Sequence, residues 1–205
     1  MVFLLFTWEE VKKITNESHI VLGGKTLELP TSKGKDGFFI PILSKIDDQL
    51  SAMLSHHCKI LVIRIDLRLS NQSNDNQVMT EFMRRYKKRI TRKYKLDRLG
   101  YVWCREQNRA NQHHYHLALM VDGNKARQGK PFTDIAKEYW DNLDMGSAWI
   151  PTRSYIMLKR SDDLAYREQF ERLSYLAKVY SKSPSKRRAS ANDYEGSRIK
   201  HKEAA

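Results

Sequence analysis

"KILVIRIDLRL", Lys59 to Leu69, alternates along its whole length. Leu61, Ile63, Ile65, Leu67 and Leu69 fall on one side of an extended chain, and Val62, Arg64, Asp66 and Arg68 on the other. A period of two puts successive side chains on opposite faces of a sheet, so the segment predicts a strand with one apolar face and one polar face. A polar loop, "SNQSNDN", follows. Then comes "QVMTEFMRRYKKRITRKYK", where Val78, Phe82, Tyr86 and Ile90 recur at helical spacing.

Further along, "YVWCREQ" and "HYHLALMV" read as two strands joined by a short polar connection, a hairpin. A helix from about Thr133 to Leu143 would bury Ile135, Tyr139 and Leu143. "SYIMLK" reads as another strand, and a helix from about Asp162 to Tyr180 closes the series. Lys59 to Lys159 therefore spells β-α-β-β-α-β, the split βαβ order of ferredoxin-like folds. The expected class is α+β: a ferredoxin-like or RRM-like core with a central antiparallel sheet, followed by a C-terminal helix. In that fold the first and third strands are neighbours, which sets Arg64 and Asp66 beside His114 and His116.

Outside this core, residues 1–57 read as an N-terminal accessory segment. It holds a helix opened by a capping box at Thr7 and Glu10, an irregular Gly-, Lys- and Pro-rich region, and a helix from Ser44 to Leu54. Residues 58–182 are the main domain. Residues 183–205 form a basic tail with few apolar residues, expected to be disordered.

The charge is unusual for a chain of this apolar content: 37 Lys and Arg against 24 Asp and Glu leave a net +13. That balance suits a polyanionic partner, nucleic acid first. Cys58 and Cys104 lack metal-ligand spacing and argue for a reducing compartment over a disulfide framework. "MVFLLF" is too short and lacks the positive flank of a signal peptide, and no stretch is long enough for a membrane span. The expected location is the cytoplasm.

Three histidines crowd the start of "HHYHLALMV". His114 and His116, two apart on a strand, point the same way, and even-to-even pairing across the hairpin brings Glu106 to the same face. Two imidazoles and a carboxylate can form an open site for a divalent cation; the plainer alternative is a pair of hydrogen-bonded surface histidines. His113 reads as a turn residue, and His56 and His57 as ordinary loop residues. On the last helix the core stripe is Phe170, Leu173, Leu176, Ala177 and Tyr180, whereas Tyr175 and Lys178 share a face off that stripe. Arg84, Arg85, Lys87, Lys88, Arg89, Arg92 and Lys93 crowd the helix from Gln77 to Lys95. A cationic run is usually a solvated face, but this density suggests phosphate contact.

"HYH" on a strand followed by "YLAK" on a helix, within this order of elements, resembles the HUH endonucleases, the rolling-circle replication initiators. "RIDLRL", "YVWCREQ", "HYHLAL" and "YLAKVYSK" as a set resemble more narrowly the inovirus-type replication protein family, whose domain also occurs in prophage remnants. The resemblance covers about Lys59 to Lys182. Tyr115 departs from it, standing where an aliphatic residue is usual, although it points to the other face. The resemblance implies Mg²⁺ or Mn²⁺ held by His114, His116 and a third ligand, Glu106 or Gln107. Tyr175 would attack the scissile phosphate, giving a 5′-phosphotyrosine and a free 3′-OH. Lys178 would stabilise phosphate charge or help deprotonate the phenol, and Asp66 would support a histidine or pair with Arg64 or Arg68. The implied partners are single-stranded DNA or an origin hairpin, and host replication proteins. Two other classes stay open: a DNA-binding regulator that does not cut, and a metal-dependent nuclease that uses water.

Overall fold

A computed structural model describes residues 14–30, 37–70, 75–107, 113–143, 146–179 and 194–203. The helix expected after Thr7, Tyr180 and the first part of the basic tail lie outside the described residues. In chain order the elements are β1 (Ile14–Thr15), β2 (His19–Leu22), β3 (Lys25–Glu28), β4 (Phe38–Phe39), α1 (Ile40–His56), β5 (Lys59–Leu69), α2 (Gln77–Tyr94), β6 (Gly100–Gln107) and β7 (His113–Asp122). They continue with α3 (Lys130–Asp141), β8 (Gly146–Trp149), β9 (Tyr155–Lys159), α4 (Asp163–Ser174), a 3₁₀ turn at Tyr175–Ala177, and β10 (Tyr194–Gly196).

β5 is the alternating strand, and it pairs antiparallel with β7 along nearly its whole length. β7 pairs with β6, and the other edge of β5 is shared by β9 near its start and β8 near its end. This is the ferredoxin-like order in α+β form: the third strand lies between the first and second, and the first carries the fourth on its far side.

Each face of the sheet has its own core. Leu61, Ile63, Ile65, Leu67 and Leu69 join Tyr115, Leu117, Leu119 and Val121 beneath α2 and α3. There Tyr86 donates to the Phe132 carbonyl at 3.0 Å and the Trp140 indole to the Arg68 carbonyl at 3.1 Å, so both buried polar tips are satisfied. On the opposite face Ile60, Val62, Val102, Cys104, Ala118 and Met120 pack beneath α1 and α4 through Leu50, Met53, Tyr166, Phe170 and Leu173. This apolar cover reaches Val62, Cys104 and Ala118. Beyond it the same face carries Arg64, Asp66, Arg68, Glu106, His114 and His116.

Several elements differ from the sequence reading. The N-terminal region expected to be irregular holds a hairpin, β2–β3, turned by Gly23 and Gly24 at φ 52° and 74°, the left-handed pair that a two-residue loop requires. α1 starts before Ser44, with Pro41 in its first turn, where a missing N–H costs nothing. The last helix stops at Ser174 rather than Tyr180. Its continuation tightens into the 3₁₀ turn, and Lys178 and Val179 then pair with Phe38 and Gly37, which draws the chain off the helix axis. His113 is a strand residue, not a turn residue, and its Nδ1 accepts from Arg105 at 3.2 Å.

The basic tail is not disordered throughout, because residues 194–203 are fixed against the domain. β10 adds to the edge of β6, Ser197 exchanges hydrogen bonds with Tyr101, and Gln49 accepts from the Ile199 amide. Backbone pairing and hydroxyls order this segment, and composition alone does not reveal them.

The fourth strand is broken. Asp66 pairs with Trp149 and Ile63 with Tyr155, so residues 150–154 lie opposite only Arg64 and Ile65. Arg153 takes a left-handed φ of 55° within this bulge, and the Arg64 amide donates to the Ser154 carbonyl at 2.7 Å. β8 begins at Gly146, φ 155°, where a Cβ would come within 1.8 Å of the Arg68 carbonyl oxygen; only glycine fits. Among the described residues, no helix is long and apolar enough to cross a membrane.

Candidate functional site

Two cross-strand rows build the open end of the sheet. One runs Trp149, Asp66, His116, Cys104, and the next runs Ser147, Arg68, His114, Glu106. Directly opposed residues share a face, so the histidines, Asp66 and Glu106 converge as the alternation requires. Tyr115 points away: it is fully buried, and its hydroxyl donates to the Asn76 side chain at 2.8 Å.

His116 lies between two carboxylates. Its Nδ1 meets Asp66 Oδ1 at 2.7 Å and its Nε2 meets Glu106 Oε2 at 3.1 Å, an arrangement in which both nitrogens donate and the ring is a cation. Burial opposes that charge, but the two carboxylates outweigh it and raise the His116 pKa to about 9. Arg64 grips Asp66 with Nε at 3.1 Å from Oδ1 and Nη2 at 3.3 Å from Oδ2. Burial pushes the Asp66 carboxyl up, yet His116 and Arg64 together hold it below its usual range. Asp66 thus both supports a histidine and pairs with Arg64. His114 goes the other way: burial, the His116 charge and Arg68 lower its pKa, leaving it neutral at pH 7.

Tyr175 and Lys178 meet this group from the side. In a 3₁₀ turn residues three apart eclipse, and the Lys178 Nζ lies 3.9 Å from the centroid of the Tyr175 ring. Burial lowers the Lys178 pKa while the charge of Glu106 raises it, so the amine stands within the field of that carboxylate. Leu176 and Ala177 are buried and anchor the turn, and Tyr175 is 43 % exposed.

Among the described residues, no three His, Cys, Asp or Glu side chains are arranged to hold a metal ion. His116 Nε2 faces a Glu106 oxygen, with a proton between two groups that could both be ligands. The donor types, two imidazoles and a carboxylate, nevertheless suit a divalent cation once that proton is lost. Gln107 lies in β6 opposite His113, and its side chain is outside the described residues.

The basic helix is elsewhere. α2 covers the opposite face of the sheet, with Arg84, Arg85, Lys88, Arg89, Arg92 and Lys93 exposed. Arg84 and Arg85 are bound to Glu81, and the Lys87 Nζ lies 4.8 Å from the Tyr101 ring centroid. The structure does not bring these cations to the histidines. It sets Arg64 beside the histidines, as the strand order predicts, and adds Arg68 and Trp149 to the site. The arginines were legible as the polar face of β5. Trp149 was not, because "GSAW" is too short for a period to show.

No curated protein matches the chain. A model of the YagK/YfjJ C-terminal domain, a family found in prophage-like proteins, matches residues 24–191, a span that includes β5–β9, the 3₁₀ turn and every side chain of the two rows. The chain belongs to the YagK/YfjJ C-terminal domain family.

Proposed function

We propose that this chain nicks and rejoins single-stranded DNA through a phosphotyrosine at Tyr175, as the HUH endonucleases do. The observation that supports it is the arrangement at the open end of the sheet: Lys178 lies against the Tyr175 ring and within the field of Glu106, beside two strand histidines. In this reading the Tyr175 phenolate attacks the scissile phosphorus, the 3′-oxygen leaves and takes up a proton, and the bond energy kept in the phosphotyrosine allows rejoining. Lys178 favours the phenolate and then faces the phosphate charge. His114, His116 and Glu106 would hold Mg²⁺ or Mn²⁺, which when bound polarises the phosphoryl oxygens. Asp66, bonded to His116 Nδ1, keeps that ring aimed. Single-stranded DNA or an origin hairpin is the substrate, host replication proteins are the further partners, and the cytoplasm is the compartment.

The test is incubation with circular single-stranded DNA and Mn²⁺, read on a denaturing gel. Wild type should shift by attached DNA, whereas Tyr175→Phe should bind DNA without an adduct. An adduct in Tyr175→Phe would exclude Tyr175 as the nucleophile. Cut DNA with no adduct in wild type would favour the water-dependent nuclease.

One observation favours the non-cutting regulator. The His116 charge is already balanced by Asp66 and Glu106, so the network is complete without a metal. Wild type that binds single-stranded DNA and leaves it intact would decide for that reading.

A further inference from the structure

Trp149 is out of keeping with the other indoles the structure describes. Trp103 and Trp140 are 3 % and 0 % exposed, but Trp149 is 47 % exposed. Its strand neighbours Ala148 and Ile150 pack into the core beneath α2 and α3, and Trp149, opposite Asp66, points to the histidine face. The Arg68 guanidinium lies over its ring, 6.0 Å from the centroid. The strand that carries the indole is fixed to β5, since Gly146 closes β8 onto the Arg68 carbonyl, which also accepts from the Trp140 indole.

We infer that Trp149 and Arg68 form a base-stacking platform that positions single-stranded DNA across the histidine rows. This rests on the reading of the site as one that acts on single-stranded DNA. A half-exposed indole backed by a guanidinium offers any base a flat partner, and base–aromatic stacking is sequence-tolerant. Arg68 adds positive charge for a phosphate backbone, on a chain of net charge +13. Trp149 lies on one side of the rows and the Tyr175–Lys178 pair on the other. From β8 to β6 is three strand spacings, roughly 14 Å. At a stacked rise of about 3.4 Å per nucleotide this is a run of roughly four nucleotides. A base held on Trp149 therefore fixes which phosphate lies over the histidines, and Trp149 is a positioning residue for the strand.

The test compares a fluorescent oligothymidylate with an abasic oligomer of the same length, using wild type, Trp149→Ala and Trp149→Phe. Fluorescence anisotropy should show Trp149→Ala losing roughly 5- to 150-fold in affinity for the oligothymidylate, the equivalent of one stacked base. Affinity for the abasic oligomer should be unchanged, and Trp149→Phe should recover most of the loss. Indole emission should be quenched on titration of wild type with unlabelled oligothymidylate, and this quenching should shrink in Trp149→Ala. Equal oligothymidylate affinity in wild type and Trp149→Ala, or equal losses on both oligomers, would overturn the platform. If wild type forms the adduct while Trp149→Ala binds normally, the platform alone fails. If the stacking signature appears without any adduct, the platform stands and the nicking reading fails.

Discussion

The face of the sheet with Leu61, Ile63, Ile65, Leu67 and Leu69 is roofed along its length by α2 and α3, whereas the face with Ile60 and Val62 is roofed by α1 and α4 only over one half. Both faces follow the same alternation, and the residue types change where the roof stops. Under cover the side chains are mostly aliphatic or aromatic, with Cys104 and the buried Arg105 among them. Past the cover they are Arg64, Asp66, Glu106, His114 and His116, and of these Arg64, Asp66, His116 and Glu106 bind one another, because a charge half-removed from water is costly without a partner. A sheet roofed on one face and half-roofed on the other thus separates a packed apolar face from an open face of paired charges within the same strands.

The sharpest way to break this separation is a substitution on each face. His114→Ala, on the open half, should abolish adduct formation with Mn²⁺ and shift thermal unfolding little, because His114 is neutral and half-buried. If His114→Ala instead unfolds the domain with activity per folded molecule intact, the open half is structural. Trp140→Ala, beneath the full roof, should cost about 3–5 kcal/mol by chemical denaturation, from the cavity left and the Arg68 carbonyl orphaned. Unfolding of Trp140→Ala at the wild-type denaturant midpoint would show that the roofed face does not carry the stability.

A third test uses pH. The His116 pKa is raised from 6.5 to about 9, so its contribution is present in full below pH 6.5 and is lost as pH rises towards 9. Asp66 is depressed from 3.8, so its contribution is present above that pH and falls away on acidification. The network should therefore stabilise most between pH 3.8 and 6.5. Unfolding free energies measured in a chelator should fall by up to about 3 kcal/mol more in wild type than in His116→Gln between pH 6 and pH 9. Parallel curves would mean that His116 is not held as a cation.

The smallest effect should come from α2. Reversing Lys88, Arg89 and Arg92 to Glu should flatten the slope of log K against log salt for single-stranded DNA by about 0.7 for each phosphate no longer neutralised. Adduct yield at saturating DNA should stay at the wild-type level, because α2 covers the face away from the histidines. A fall in adduct at saturation would join the two faces in one DNA path.

The parts of the fold legible in the sequence are those where burial imposes a period. The alternation in β5 and the helical repeat of Phe82, Tyr86 and Ile90 both record which side is covered. His114, His116 and Glu106 were legible for the same reason, since strand parity alone assigns them a face. The missed parts are held by other means. β8 depends on a glycine meeting a carbonyl, β10 on pairing with an existing edge, and the end of α4 on a pull towards Phe38. Trp149 could not be placed until β8 was known to add to β5, and the charge on His116 follows from a diagonal approach to Glu106 that no linear pattern contains.

The break in the fourth strand also bears on self-association. An edge strand with a long run of unpaired amides and carbonyls is a template for a second copy of the same chain. Here one edge of the sheet ends in two short strands separated by a five-residue bulge, and the other ends in β10, three residues long. Among the described residues, neither border offers a straight ladder on which another sheet could extend. A domain rich in Val, Ile and Leu strands is thereby protected from edge-to-edge aggregation by irregularity at both margins of the described sheet.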